Sequence, residues 1–406
     1  MYIPQVIRRM SISDWGGTES VVLNTTRHLR KNNVLSEILA TQAMDTRSES
    51  VYEGVPLKRF PYFYPYLGLS QQGKSQLDRK GGNPMAPALV RYLKNHQPQL
   101  IHGHSMQRMA GMVRQAAQSL NVPYVLSFHG GYFDVPQAEI QQMVLPVRRR
   151  LHYGRLLDPC LGYHRALADA TGLICVNPLE AEKMQAQYPR QRVCYLPNGV
   201  ELQTPETEKA SADRFRQQHG IPPELPLLLC IGRIDAQKGQ HEALNFLAQS
   251  ETPVGLVCIG PVTDPDYAQR LKSDVIAKGL SQRVWLLPGL PPEHQSLADA
   301  RAAAQICIVP SRHEPFGIVV LEAWRQRLPV VANAVGGLNT LITPGKNGYK
   351  ADLNGDFWPR VQQLLKDPET QQRLGNGGYD TVEKHYTWHA VTQTLMAFYE
   401  QCMQDF

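Results

Sequence analysis

Residues 311–324 read "SRHEPFGIVVLEAW" and set two carboxylates, Glu314 and Glu322, eight positions apart across an apolar run. Pro315 and Gly317 bar a continuous helix from Glu314 onward, while "GIVVLEAWRQ" resumes helical spacing. The spacing therefore predicts Glu314 on a loop and Glu322 about a turn and a half into a helix. The start of such a helix carries unpaired backbone N–H groups and a partial positive charge, a seat for a diphosphate. A carboxylate beyond that seat can accept hydrogen bonds from a ribose diol, and the loop carboxylate can reach sugar hydroxyls on the other side. The arrangement suits a ligand that is a sugar, a diphosphate and a nucleoside in a row. Alone the pair is moderately specific, because a loop Glu and an exposed helical Glu often coincide by chance.

Companion residues sharpen the reading. "CIGRIDAQKGQ" supplies Arg233 and Lys238, two cations separated by a turn. Taken singly each reads as a solvated loop residue. Together they suit a leaving diphosphate, since no Asp cluster is present to hold a metal ion in their place. "SDWGGTESVV" places Gly16 and Gly17 between a strand and a helix, as an ordinary turn or as backbone that a phosphate or sugar can approach closely. "YVLSFHGGYFD" ends a buried strand with His129, which is either structural or a site residue.

The elements that must carry these residues alternate. "YIPQVIRRM", "LSEILATQ", "QLIHGHS", "PYVLSFHGG" and "GLICVN" read as buried strands, separated by "SVVLNTTRHLRKN", "RMAGMVRQAAQSL" and "HRALADA" with helical spacing. A second series runs from "PLLLCIGRI" through "HEALNFLAQS", "VGLVCIG", "YAQRLKSDVIAKGL", "RVWLLPG" and "ICIVPS" to "PVVANA". Repeated strand-then-helix order means a parallel sheet wrapped on both faces. The fold class is α/β, two doubly wound Rossmann-like domains, with the boundary in the polar, Pro-rich residues 200–226, which hold one helical stretch. Ligands of such sheets bind at the C-terminal strand edges, so the expected site lies between the domains. Neither half has GxGxxG after its first strand, which argues against a dehydrogenase.

The 406 residues exceed what one core fills and fit two domains. A net charge of +6 over that length excludes a dedicated nucleic-acid binder but leaves room for a local basic patch. One candidate is the run of Arg148, Arg149, Arg150, Arg155 and Arg165 against a single aspartate, Asp158. It is either a solvated helix face or a contact for an anionic acceptor or a bilayer surface. The aromatic-then-polar segment "RFPYFYPYLGLSQQGKSQLDRKGGNP" reads as a long loop, packed locally or meeting an acceptor or membrane. Seven cysteines, with no CxxC, lie partly in apolar runs and read as reduced, which points to the cytoplasm. No run approaches the ~20 apolar residues of a membrane span, and the N-terminus lacks the apolar core of a signal peptide.

The chain resembles the retaining glycosyltransferases of family 4, which have the GT-B fold. The likeness rests on "GGTES", "LIHGHS", "PYVLSFHGG", "ADATGLICVN", "YLPNGVE", "GRIDAQKG", "VVANAVGGL", "NGY", "YTW" and, most specifically, "EPFGIVVLE", an E-x7-E element. It departs from many members at Glu201, where Asp is common, and at Thr340, where Glu is common. The resemblance implies a first domain over residues 1–203, a nucleotide-sugar domain over 204–385, and a C-terminal helix over 386–406 packing back on the first. It implies that Arg233 and Lys238 hold the donor diphosphate, that Glu322 binds ribose, and that Glu314 bonds the transferred sugar. It places His129 near that sugar and Gly16 and Gly17 in a loop closing over phosphates and acceptor. It gives the backbone of Phe316, Gly317, Ile318 and Val319 contacts to diphosphate and sugar, and sets Leu287 and Pro288 at the base. The implied reaction is retaining transfer of a hexosyl unit from a UDP- or GDP-sugar to a glycan, lipid-linked or small-molecule hydroxyl, as in polysaccharide or glycoconjugate synthesis, with no metal and no further cofactor. A noncatalytic nucleotide-sugar sensor and a nucleotide-sugar epimerase of the same fold are the alternatives; the first would need only the second-domain residues.

Overall fold

The computed structural model describes the whole chain except residues 12–15, 80, 131–132, 134–146, 149, 203–207, 251–252 and 292–293, and the side chains of Arg155, Leu157, Cys160 and Glu208. The chain divides into two compact units, Met1–Pro197 with Val391–Phe406, and Asn198–Ala390.

The first unit is built on an eight-stranded sheet of β1 (Gln5–Arg9), β2 (Ile38–Thr41), β3 (Glu49–Tyr52), β4 (Val55–Phe60), β5 (Ile101–Gly103), β6 (Tyr124–Phe128), β7 (Gly172–Cys175) and β8 (Arg192–Tyr195), in the order β3-β4-β2-β1-β5-β6-β7-β8. Alternation along the strands divides its apolar residues between two cores. Val6 and Leu39 join one with Val113 and Ala116 of the helix Arg108–Leu120, and Ile7, Ile38 and Ala40 join the other with Val22 and Leu23 of the helix Gly17–Lys31. Phe398 and Cys402, from the C-terminal residues of this unit, lie so close over Gly172 of β7 that a Cβ there would be 2.6 Å from the Phe398 ring.

The sheet is parallel, as expected, with one antiparallel pair at its edge, where β3 joins β4 in a hairpin. These two strands, ESVY and VPLKRF, interrupt their apolar residues with polar ones and so lack the continuous apolar runs by which buried strands declare themselves. Two expectations are corrected in this unit. "HRALADA" forms a 3-10 turn, Tyr163–Arg165, followed by turns, where an α-helix is expected. The segment after Phe60, expected as a loop, contains the helix Gln71–Arg79, which buries Leu77 and Asp78. The Asp78 carboxylate accepts from Tyr62 Oη at 2.6 Å and Tyr64 Oη at 2.9 Å. Tertiary packing thus makes a helix out of a polar stretch of low hydrophobicity.

The second unit carries a six-stranded parallel sheet of β9 (Leu227–Ile231), β10 (Gly255–Gly260), β11 (Val284–Pro288), β12 (Ile306–Val309), β13 (Val330–Asn333) and β14 (Tyr349–Ala351), ordered β11-β10-β9-β12-β13-β14. The helical stretch expected inside the linker, Glu208–His219, belongs to this unit. Its Arg214 holds Asp299 of the helix Gln295–Ala303 in a bidentate pair at 2.6 and 2.7 Å. Cys230, Cys258 and Cys307 are buried free thiols in the sheet, as is Cys175 in the sheet of the first unit, and Cys402 is a buried free thiol on the helix Trp388–Gln404. Among the described residues no helix is long and apolar enough to cross a membrane.

Candidate active site

The site in the second unit is assembled by loops leaving the C-terminal ends of β9, β12 and β13. After β9 the chain passes Arg233 and reaches Asp235, which caps the 3-10 turn Ala236–Lys238. One Asp235 oxygen accepts from the backbone N–H of Gln237 (3.1 Å) and Lys238 (3.3 Å). The other faces Arg233 Nη1 at 3.2 Å and accepts from Thr263 Oγ1 at 3.0 Å. Arg233 also donates to Gln237 Oε1 at 3.3 Å, and its side chain is 42% exposed. One buried carboxylate therefore sets the conformation of the turn bearing Lys238 and restrains the guanidinium of Arg233. This role was missed in the sequence, although Asp in "DAQKG" has the spacing of a cap.

Lys238 Nζ donates to Glu314 Oε2 at 2.6 Å, a largely buried ion pair. The two loops are stitched further by Arg312 N–H to Gln237 O (2.7 Å) and by Gly239, where a Cβ would lie 2.2 Å from Pro310 O. Gly239 also has φ +72°, which favours glycine. The β13 loop closes on the same segment through Gly337 N–H to Glu314 O (2.9 Å) and Asn333 Nδ2 to Ser311 O (2.9 Å).

Glu314 is on a loop, as its spacing predicts, and Gly317 caps the helix Ile318–Trp324 with φ +103°. The Ile-Val-Val opening is a poor helix former. Burial of Val320, Leu321, Ala323 and Trp324 on one side overrides that preference. Phe316, 5% exposed, anchors the loop before it. Glu322 lies on the less buried face, where its Oε2 accepts from Arg301 Nη2 at 2.6 Å. Arg301 is almost fully buried, and its Nε is a buried donor with no partner among the described residues. Sequence reasoning missed Arg301; nothing in "LADARAAAQ" sets it apart. Leu287 and Pro288 end β11 and pair with Ile259 and Gly260 of β10. The second unit thus brings together Arg233, Lys238 and Glu314 through direct or one-step contacts.

Gly16, Gly17 and His129 belong to the first unit. Gly16 is the N-cap of the helix Gly17–Lys31, with φ −131°, so its conformation does not demand glycine. The nearby Glu19 Oε2 would be 2.7 Å from a Cβ there, and Glu19 Oε1 lies 3.2 Å from Arg9 Nε. His129 follows β6. Its Nε2 lies 3.0 Å from His104 Nδ1, and His104 Nε2 lies 2.8 Å from Gln5 Oε1. Burial lowers the His129 pKa to about 4 and holds His104 and His102 well below the ordinary histidine range. His102 and His104 also went unnoticed in the sequence, although "IHGHS" puts them two apart, on one face of a strand. The remainder of "GGYFD" apart from Gly130 and Phe133, and Arg149 with the Arg155 side chain of the basic run, lie outside the described residues. Among the described residues no group of three His, Cys, Asp or Glu is arranged to hold a metal ion.

The profile of the glycosyl transferases group 1 matches residues 211–381, and that of glycosyltransferase family 4 matches residues 15–204. The chain belongs to the family 4 glycosyltransferases. The fold of this glycosyltransferase is GT-B. Sucrose-phosphate synthase from Thermosynechococcus elongatus superposes with a TM-score of 0.73 at 21% identity, covering all of both chains. HepE from Anabaena, solved with UDP-glucose, gives 0.69 at 18% identity over 99% of this chain and all of that one. In sequence the glycosyltransferase is 28% identical to the D-inositol 3-phosphate glycosyltransferase of Xylanimonas cellulosilytica, over 96% of this chain and 92% of that protein. It is 27% identical to the protein of the same name from Mycolicibacterium smegmatis, over 97% and 88%.

Proposed function

We propose that this glycosyltransferase moves a hexosyl unit from a UDP- or GDP-sugar to a hydroxyl of a glycan, lipid-linked or small-molecule acceptor, with retention at the anomeric carbon. The observation that carries the reading is the pairing of Lys238 with Glu314, with Arg233 braced on the same turn beside the loop that opens the helix Ile318–Trp324. The cations bind the diphosphate and stabilise its charge as the glycosidic bond breaks. Glu314, displaced from Lys238 by the incoming phosphate, accepts from the sugar's hydroxyls, and Glu322 takes the ribose diol. The bond from the anomeric carbon to the diphosphate oxygen breaks while the acceptor oxygen bonds to that carbon on the same face. The acceptor's proton passes to the departing phosphate oxygen. Fixed cations do here what a divalent ion does elsewhere. Leu67, Leu151 and Leu156, each more than half exposed, support contact between a lipid-linked acceptor's bilayer and the region of the basic run.

Thermal stabilisation by UDP-, GDP-, ADP- and dTDP-sugars identifies the donor, a ligand at about 100 times Kd adding ~2.7 kcal/mol. Transfer to inositol phosphates and to oligosaccharides, with the product anomer read by NMR, tests the acceptor and the retention. Arg233→Ala is expected to lower the rate about 10² to 10³-fold with folding intact; near-normal transfer by that variant overturns the assignment.

A further inference from the structure

His129 and His104 of the first unit are hydrogen-bonded in a chain with Gln5 whose direction can be worked out. Ser36 Oγ donates to Ile3 O at 2.7 Å, so its hydrogen is committed and its oxygen is an acceptor. Gln5 Nε2 points at that oxygen (3.5 Å) and at Ile3 O (3.3 Å), two acceptors. A flipped Gln5 amide would set its own oxygen against both, so the orientation with Oε1 toward His104 is the only one that satisfies its neighbours. Oε1 must then receive a proton from His104 Nε2. A neutral His104 protonated at Nε2 has a bare Nδ1, which accepts from His129 Nε2. A neutral His129 protonated at Nε2 is left with a bare Nδ1. That atom is buried and has no hydrogen-bond partner among the described residues. The His104 ring is backed by His102 at 3.9 Å between centroids, and His102 is fixed by Ser127 Oγ and Tyr399 Oη, each at 2.6 Å.

We infer that Gln5 and His104 are positioning residues that lock His129 in the Nε2-protonated form, so that its Nδ1 accepts a hydrogen bond from a hydroxyl of the bound sugar or acceptor. This rests on the glycosyl-transfer reading for the ligand but not for the tautomer. A desolvated acceptor without a donor is unfavourable, and its placement just beyond the C-terminal end of β6 puts it where open α/β sheets take their ligands. A hydroxyl supplies the missing donor. A ligand lacking a donor at that position leaves the nitrogen unmet, so the chain selects for a hydroxyl there.

The test combines a substrate-free readout with kinetics on the full chain. Long-range 1H–15N NMR of the imidazoles, with His129 assigned from His129→Asn, should show a bare Nδ1 and a protonated Nε2. His104→Gln keeps an amide donor for Gln5 and an amide acceptor for His129, and is expected to preserve both the tautomer and transfer. His104→Leu removes both groups; a mixture of His129 tautomers is expected, together with an about tenfold fall in kcat, read with whichever of the UDP-, GDP-, ADP- and dTDP-sugars stabilises the chain. A proton on Nδ1 in the unsubstituted chain overturns the inference even if His104→Leu fails to fold. So does a His104→Leu protein that loses transfer with its His129 tautomer unchanged, or one with altered tautomer and unaltered transfer. Failure of every nucleotide sugar to donate would sink the proposed activity while leaving the tautomer result standing.

Discussion

Asp235 offers the sharpest separation of stability from function in this site. Replacing it with Ala removes an N-terminal cap, worth about 1 kcal/mol, and the bond from Thr263, worth about another 1 kcal/mol. Its pairing with Arg233 adds well under 1 kcal/mol to stability, because that guanidinium is 42% exposed and screened by water. Asp235→Ala should therefore destabilise the second unit by roughly 2 kcal/mol, lowering its Tm by about 4 to 8 °C. Asp235→Asn retains a cap oxygen toward Gln237 and Lys238 and an amide that can donate to Thr263, and loses only the charge. Its Tm should lie within about 2 °C of the unsubstituted chain. Arg233 then keeps only its bond to Gln237, and the ligand must supply the rest of its ordering, at about 1 kcal/mol, so donor affinity should drop about five- to tenfold in both variants. Differential scanning calorimetry and donor titration measure the two quantities on the same samples. An Asn variant that binds the donor like the unsubstituted chain would refute the claim that this carboxylate positions Arg233. One as unstable as the Ala variant would refute the division of its energy into cap and charge.

Two further outcomes are expected. Arg301→Met strands the Glu322 carboxylate in a largely buried place and should cost about 3 kcal/mol in chemical denaturation. Adding Glu322→Leu should recover most of that stability without restoring donor affinity; a double variant as unstable as the single one would mean that Arg301 stabilises through other contacts. Acid titration of stability follows from the histidines. His129, at about 4 in the folded chain and near 6.5 unfolded, is neutral in the fold while the unfolded chain takes up its proton. Its contribution is fully present above pH ~6.5 and is lost as pH falls through about 4, amounting to about 3 kcal/mol. His102 and His104 act in the same direction. Denaturant midpoints that do not fall between pH 7 and 4, or that fall equally in His129→Asn, would contradict this assignment.

Much of the local placement of these residues could be read from spacing. Strand-then-helix order gave the α/β class, because buried parallel strands must be nearly continuous apolar runs and the crossover returns as a helix. Pro315 and Gly317 put Glu314 on a loop and Glu322 on a helix for reasons confined to a few residues. The hairpin of β3 and β4 and the helix Gln71–Arg79 escaped notice because their stability comes from packing rather than from their own pattern.

What the amino-acid sequence determined by itself is the set of groups at the strand ends: Arg233, Lys238, Glu314, Glu322 and His129, each fixed by a loop or helix start that its neighbours dictate. Tertiary structure alone decided which of them meet. Lys238 and Glu314 are 76 residues apart, Glu322 and Arg301 are 21, and His104 reaches Gln5 across 99. Such pairings depend on strand order and loop closure, which no local pattern encodes. Burial then decides the rest, since a histidine that is an ordinary base in water becomes, three hydrogen-bonded groups deep in a sheet, a neutral ring with a fixed direction.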